Sequence, residues 1–448
     1  MGKNKIILIC ILLFSFVFFS ACKSTNDKID LSGMSKKAKT SIVTQEPKPS
    51  LIAVQTPKPS INASQVPKDN ELKWTWCIKA DQYSDLFFLD KDLIAAKQKN
   101  NKYVILDTKG AVAISGEYSE VSCFKEGLLA VASNGKTFFI NKKGDNVFHK
   151  DFDNTLDFSE GLAAINKDGY WGYIDKMGKV VIQNQYKDVK NFHENSAAVQ
   201  KNHKWGLIDQ FGKVVLDYYY DEINEFQSGY YAVMKNGKWG FIDNHGKVVA
   251  KCIYNEVKNF SEGYAAVMKN GKWGFINNSG KRCIDLKYND VGNFNEGKVS
   301  VKRLKNSDDL GEWAYVDYKD NIVIDFYPYD ASASDASIYV GEFKEGLAFV
   351  SKTEYSIIDA KGKNAYYGGD TKFFIGYQSY NKEYDAIPAY VYIDDSMKIR
   401  KYGLMGLKGN QRLEPVFDNV DGIYGAYVIV ENMVDDEYKM GLIKMEKE

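Results

Sequence analysis

A step of 34 residues runs through the centre of this chain and restricts what it can become. Trp171, Trp205, Trp239 and Trp273 keep that interval, and each is followed by Gly. Tyr118, Phe152, Tyr186, Tyr220, Tyr254 and Tyr288 keep it too, as do Phe124, Phe158, Phe192, Phe226, Phe260 and Phe294. Gly110, Gly144, Gly178, Gly212, Gly246 and Gly280 form a fourth column, and Thr137-Phe138 and Tyr103-Val104 stand where earlier Trp-Gly copies would fall. Four columns in one register specify a repeat array, in which a unit too small to bury its own aromatic face is stable only when stacked on its neighbours.

The residues between the columns leave no room for a helix. Tyr264 to Lys269 alternates large and small side chains as a strand does, and Asn270-Gly271 is a two-residue hairpin signal because both positions accept positive φ. Lys272 to Asn277 then returns, Asn278-Ser279-Gly280 makes a turn, and a third strand follows, as Lys247 to Tyr254 does one unit earlier. A polar link, Asn255 to Asn259, leads to the next unit. The expectation is an all-β tandem array of about ten units of three short antiparallel strands, regular over 73–300 and degenerate over 301–448. Three strands per unit favour an open solenoid or superhelix, with a closed, propeller-like ring as the alternative, since propeller blades are four-stranded and somewhat longer.

Lys238-Trp239-Gly240-Phe241-Ile242-Asp243 and Lys272-Trp273-Gly274-Phe275-Ile276-Asn277, preceded by Phe260-Ser261-Glu262-Gly263-Tyr264-Ala265-Ala266-Val267, resemble the WG-repeat family. The resemblance is close within 118–300 and looser beyond, at Trp313-Ala314, Tyr355-Ser356, Tyr402-Gly403 and Met440-Gly441. It implies a bacterial β-repeat protein of ill-defined role, often outside the cytoplasm.

The N-terminus carries an address. Lys3 and Lys5 precede an apolar run from Ile6 to Phe19, then Ser20-Ala21-Cys22. That is the order of a secretory signal, and the run is too short for a spanning helix. Phe19-Ser20-Ala21-Cys22 resembles a bacterial lipobox, although Phe19 stands where Leu is usual; the resemblance implies removal of 1–21 and a diacylglyceryl group on Cys22, with acylation of the new amino terminus. Pro47, Pro49, Pro57, Pro59 and Pro67 then punctuate an aromatic-free stretch, 22–72, that reads as a semi-rigid, disordered stalk.

Chemistry is sparse. Lys plus Arg equals Asp plus Glu at 59 each, which argues against a nucleic-acid partner. His149, His193, His203 and His245 form no metal-binding spacing, and no nucleophile elbow, phosphate loop or dinucleotide fingerprint occurs. Hence no catalytic residue, metal or cofactor is expected. Cys77, Cys123, Cys252 and Cys283 read as buried thiols, with a Cys252–Cys283 bridge as the alternative. Asp175, Asp209 and Asp243, replaced by Asn at 141 and 277, suit turn starts better than a calcium ladder. Glu126, Glu160, Glu262, Glu296 and Glu345 look like a solvated edge.

Insertions mark candidate binding loops: one holding Asp330 and Asp335, and a Tyr-rich one with Tyr366, Tyr367, Tyr377 and Tyr380. The expected function is a lipid-anchored scaffold on the extracytoplasmic face of the cell membrane, binding an unknown protein or envelope partner. A cell-wall glycan-binding protein is the alternative; an enzyme is not expected.

Overall fold

The computed structural model describes residues 72–304, 311–327, 340–351, 355–365, 374–375, 380–392, 400–407 and 411–446, and no helix occurs among them. The strands fall into ten separate antiparallel sheets, none of which closes into a barrel. Numbered along the chain, the sixth shows how the sequence builds one. Glu256–Val257, Tyr264–Lys269, Lys272–Asn277 and Arg282–Tyr288 lie side by side in that order. Asn270 and Gly271 take φ of 54° and 72°, the left-handed pair that a tight hairpin with right-handed twist requires.

The expectation of an all-β tandem array of short sheets therefore holds, with one correction: the full sheets have four strands, not three. The link Asn255 to Asn259 contributes the two-residue strand Glu256–Val257, which pairs with Met268 and Val267. A strand of two residues carries no alternation, so nothing in its composition announces it.

The Gly after each Trp is a matter of backbone approach. Trp273 pairs with Tyr288 and Phe275 with Ile284, so two residues on one strand oppose four on the other. That bulge drives the outer strand against the inner one. A Cβ on Gly274 would lie 2.5 Å from the carbonyl oxygen of Ile284, and one on Gly240 would lie 2.4 Å from that of Ala250. Where the Gly is missing, the bulge changes. At Trp313-Ala314 the partners are Tyr327 and Ile324, one extra residue instead of two. At Tyr103-Val104 the large bulge persists, and a Gly stands in the opposite strand, Gly116 at φ 132°.

Consecutive sheets stack through shared apolar clusters, as in a solenoid. Phe241 and Ala250 of the fifth sheet meet Phe260, Ala265 and Val267 of the sixth. Trp273, Phe275 and Tyr288 of the sixth meet Val291, Phe294 and Val301 of the seventh. The same holds where the array ends: Ile429 and Leu442 of the tenth sheet pack with Leu86, Ile94 and Leu106 of the first. Lys73–Tyr83, the first strand, is the outer strand of the tenth sheet, pairing with Glu437–Glu446 from Lys73 opposite Glu446 to Tyr83 opposite Met440. The stacked array is thus closed end to end rather than open, the arrangement weighed above as the alternative. Closure gives both terminal sheets a neighbour.

Two outcomes follow. Thr75 and Lys444 are opposite partners on an exposed strand pair. Cysteines placed at both positions should crosslink under mild oxidation, read as a mobility shift on a non-reducing gel, because opposed strand residues lie within disulfide reach. Gly240→Ala should lower stability by about 2–3 kcal/mol in denaturant titration, since the Cβ meets main chain that cannot rotate away.

Candidate functional site

Recurring polar residues are where a repeat protein would carry a repeated chemistry, and here they are consumed by stacking. In the phrase Phe-Ser-Glu-Gly each position has its own neighbour. The Phe reaches back: Phe192, Phe260, Phe294 and Phe343 meet Tyr173, Phe241, Phe275 and Tyr315 of the preceding sheet edge-on, with centroids 4.8–5.0 Å apart. Those partners sit two places beyond the Trp, a column of mixed identity that the sequence reading did not single out. They are among the most deeply buried large side chains.

The Ser reaches forward. Ser159 Oγ donates to the carbonyl of Phe192 at 2.7 Å, and Ser261 Oγ to that of Phe294 at 2.6 Å. His193, which replaces this Ser in the fourth sheet, stacks instead on Phe226 of the fifth, at 5.9 Å and 14°.

The Glu column is exposed, as a solvated edge would be, and it also holds the neighbouring sheet. Glu160 Oε1 and Oε2 accept the main-chain N–H groups of Glu194 and Asn195 at 2.6 and 2.8 Å. Glu262 accepts those of Glu296 and Gly297 at 2.8 and 3.0 Å, and Glu296 holds Gly346. Each carboxylate caps the turn of the next sheet. The Glu residues themselves stand at positive φ, between 50° and 54°, which a residue with a Cβ rarely adopts. The strain is local and the charge-assisted bonds to the neighbour offset it.

A side chain from the next sheet's outer turn adds to the cap. Lys176 Nζ lies 2.9 Å from Glu126 Oε2 and 3.2 Å from its carbonyl oxygen; Tyr318 Oη donates to Glu262 Oε2 at 2.7 Å. Burial pushes the Glu126 carboxyl up, but the Lys176 ammonium and the Gly161 N–H outweigh it and hold the group below its usual range.

The Asp column makes turns, as expected. In Asp175, Asp209, Asp243, Asn141 and Asn277, Oδ1 accepts the N–H groups two and four residues on, at 2.8–3.1 Å. Among the described residues no group of three or more His, Cys, Asp or Glu converges on a point. Cys77, Cys252 and Cys283 are free, so Cys252 and Cys283 are not bridged; Cys77 and Cys252 are half-buried and Cys283 is exposed rather than buried, and Cys123, expected as a thiol, is disulfide-bonded.

Of the candidate loop residues, Asp330, Asp335, Tyr366, Tyr367 and Tyr377 lie outside the described residues, as does Cys22. Tyr380 is half-buried. Its hydroxyl donates to Asp385 Oδ1 at 2.9 Å, and Arg412 holds the other carboxylate oxygen at 3.0 Å. Burial, with Asp385 beside it, pushes the Tyr380 hydroxyl up to about 12.

One cavity, of about 510 Å³, opens between the fourth and fifth sheets, lined by Glu194, Asn195, Ser196, Asp209, Val215, Asn244 and His245. It lies on the capping-turn side, at a junction where the Glu cap is not made.

Residues 105–136, 138–171, 171–205, 205–239, 239–273 and 273–305 match the WG containing repeat, so 105–305 is a run of six consecutive WG repeats. No curated protein matches the chain. Solved structures similar to it include a eukaryotic initiation factor, at 11% identity and TM-score 0.43, covering 75% of this chain and 89% of that one. The WD40 β-propeller domain of Doa1, at 13% identity and TM-score 0.26, covers 51% of this chain and 93% of its own. BamB from Moraxella catarrhalis, at 12% identity and TM-score 0.30, covers 50% of this chain and 80% of its own. Likenesses this distant carry no argument about function.

Glu126 gives a pH prediction. Its folded pKa is depressed, so it stabilises above the unfolded pKa, and that contribution disappears as pH falls through the folded value. Glu126→Gln should therefore lower Tm at neutral pH and flatten the acid limb of the Tm–pH curve between about pH 5 and 3.

Proposed function

We propose that this chain is a lipid-tethered, extracytoplasmic scaffold whose closed β-array offers a rigid surface to a protein partner of the envelope. The observation that carries the reading is the full employment of its recurring polar groups. Ser, Glu, Asp and Asn of the repeat bind main chain of their own or the next sheet, so the repeat's chemistry makes the array and leaves none for a recurring reaction. The tether is read from the signal, the Cys22 lipobox and the Pro-rich stalk. One acyl chain binds a membrane marginally, whereas two or more hold stably.

Burial of the aromatic column supports a protein partner over a glycan. Trp205 and Trp273 are 6% and 7% exposed, and Trp171, Trp239 and Trp313 are half-buried. Saccharide platforms need open ring faces, and these are turned into the stack.

The tether and the partner are tested separately. Wild-type chain should fractionate with membranes and Cys22→Ser with the soluble fraction; a Cys22→Ser chain that stays on the membrane would remove the anchor. The tethered array should not be retained on purified peptidoglycan or teichoic acid at physiological salt, and retention there would replace the scaffold with the glycan reading.

A further inference from the structure

We infer that the cavity between the fourth and fifth sheets is a seat for a primary alkylammonium group, such as the side chain of a partner's lysine. This holds or fails independently of the tether.

The repeat supplies its own image of the occupied seat. At three outer turns, the residue after the turn-opening Asp reaches back to the Glu of the preceding sheet. After Asp175 that residue is Lys176, whose ammonium lies 2.9 Å from the Glu126 carboxylate and 3.2 Å from the Glu126 carbonyl. After Asp317 it is Tyr318, whose hydroxyl meets the Glu262 carboxylate at 2.7 Å. After Asp243 it is Asn244, whose shorter side chain reaches only the Glu194 carbonyl, at 3.0 Å. Among the described residues, the Glu194 carboxylate meets neither a cation nor the next turn, where Ser228 replaces the Glu. Glu194 and Asn244, which stand two repeat steps beyond Glu126 and Lys176, both line the cavity.

The lining fits the missing group. Glu194 supplies the carboxylate that Glu126 supplies to Lys176, and Asp209 adds a second, with one oxygen committed to the N–H groups of Phe211 and Lys213. His245 borders the opening and Val215 offers an apolar wall for an alkyl stem. A cation with an aliphatic stem gains both a carboxylate partner and apolar cover.

The test uses the full chain in detergent, labelled at the Cε1 carbon of its four histidines. His245 is assigned by loss of its resonance in His245→Asn. Nα-acetyl-lysine amide should move the His245 resonance saturably, and Nα-acetyl-norleucine amide, its uncharged counterpart, should not. Glu194→Gln should weaken the lysine response at least tenfold. Asn244→Lys should abolish it, with His245 already displaced in the absence of probe and Tm raised. A stronger response to the lysine amide than to 1,5-diaminopentane supports a protein side chain as occupant, and equal responses support any alkylamine. No saturable response, an equal response to norleucine amide, or an unchanged response in Glu194→Gln would overturn the assignment.

Discussion

The contact between one sheet's entry Phe and the aromatic ring two places beyond the preceding sheet's Trp carries this fold. Each ring pair is buried from both sides, and each belongs to two sheets, so neither sheet has a complete core alone. Edge-to-face pairs of this kind add about 0.5–1.5 kcal/mol beyond the area they bury, and the pair recurs with nearly fixed geometry around the array. Ser and Glu of the same four-residue phrase then reach the other way, into the next sheet. A single short phrase thus binds backward by packing and forward by hydrogen bonds.

Stacking of this kind leaves an unsatisfied face at each end unless the array is capped or closed. Here it is closed, and the closing element is the chain's first described strand, Lys73–Tyr83. That strand supplies Ile78 to the cluster joining the tenth and first sheets. If the preceding segment is a membrane stalk, as proposed, the stalk enters the array through the strand that closes it.

Much of this was legible in the sequence, for particular reasons. Trp-Gly, Asn-Gly and the Asp turn openers are local signals, and their meaning lies within a few residues of where they stand. The two-residue strands were not legible, since Glu256-Val257 alternates nothing. The ring column, Tyr173, Leu207, Phe241, Phe275 and Tyr315, changes identity and includes an aliphatic residue, so it hides between the more uniform Trp and Phe columns. The Glu column was visible, but its partners are 34 and 35 residues away, beyond what spacing alone reveals. End closure was invisible too, because Lys73–Tyr83 lacks the repeat phrase altogether.

The direct test of the shared-ring account is a double-mutant cycle across the fifth and sixth sheets. Phe241→Leu and Phe260→Leu, singly and together, would be compared by denaturant unfolding monitored in the full array. The account predicts that the two losses are not additive, with a coupling of about 1 kcal/mol between residues that belong to different sheets. Additive losses would mean that each sheet holds its core by itself, and would contradict it.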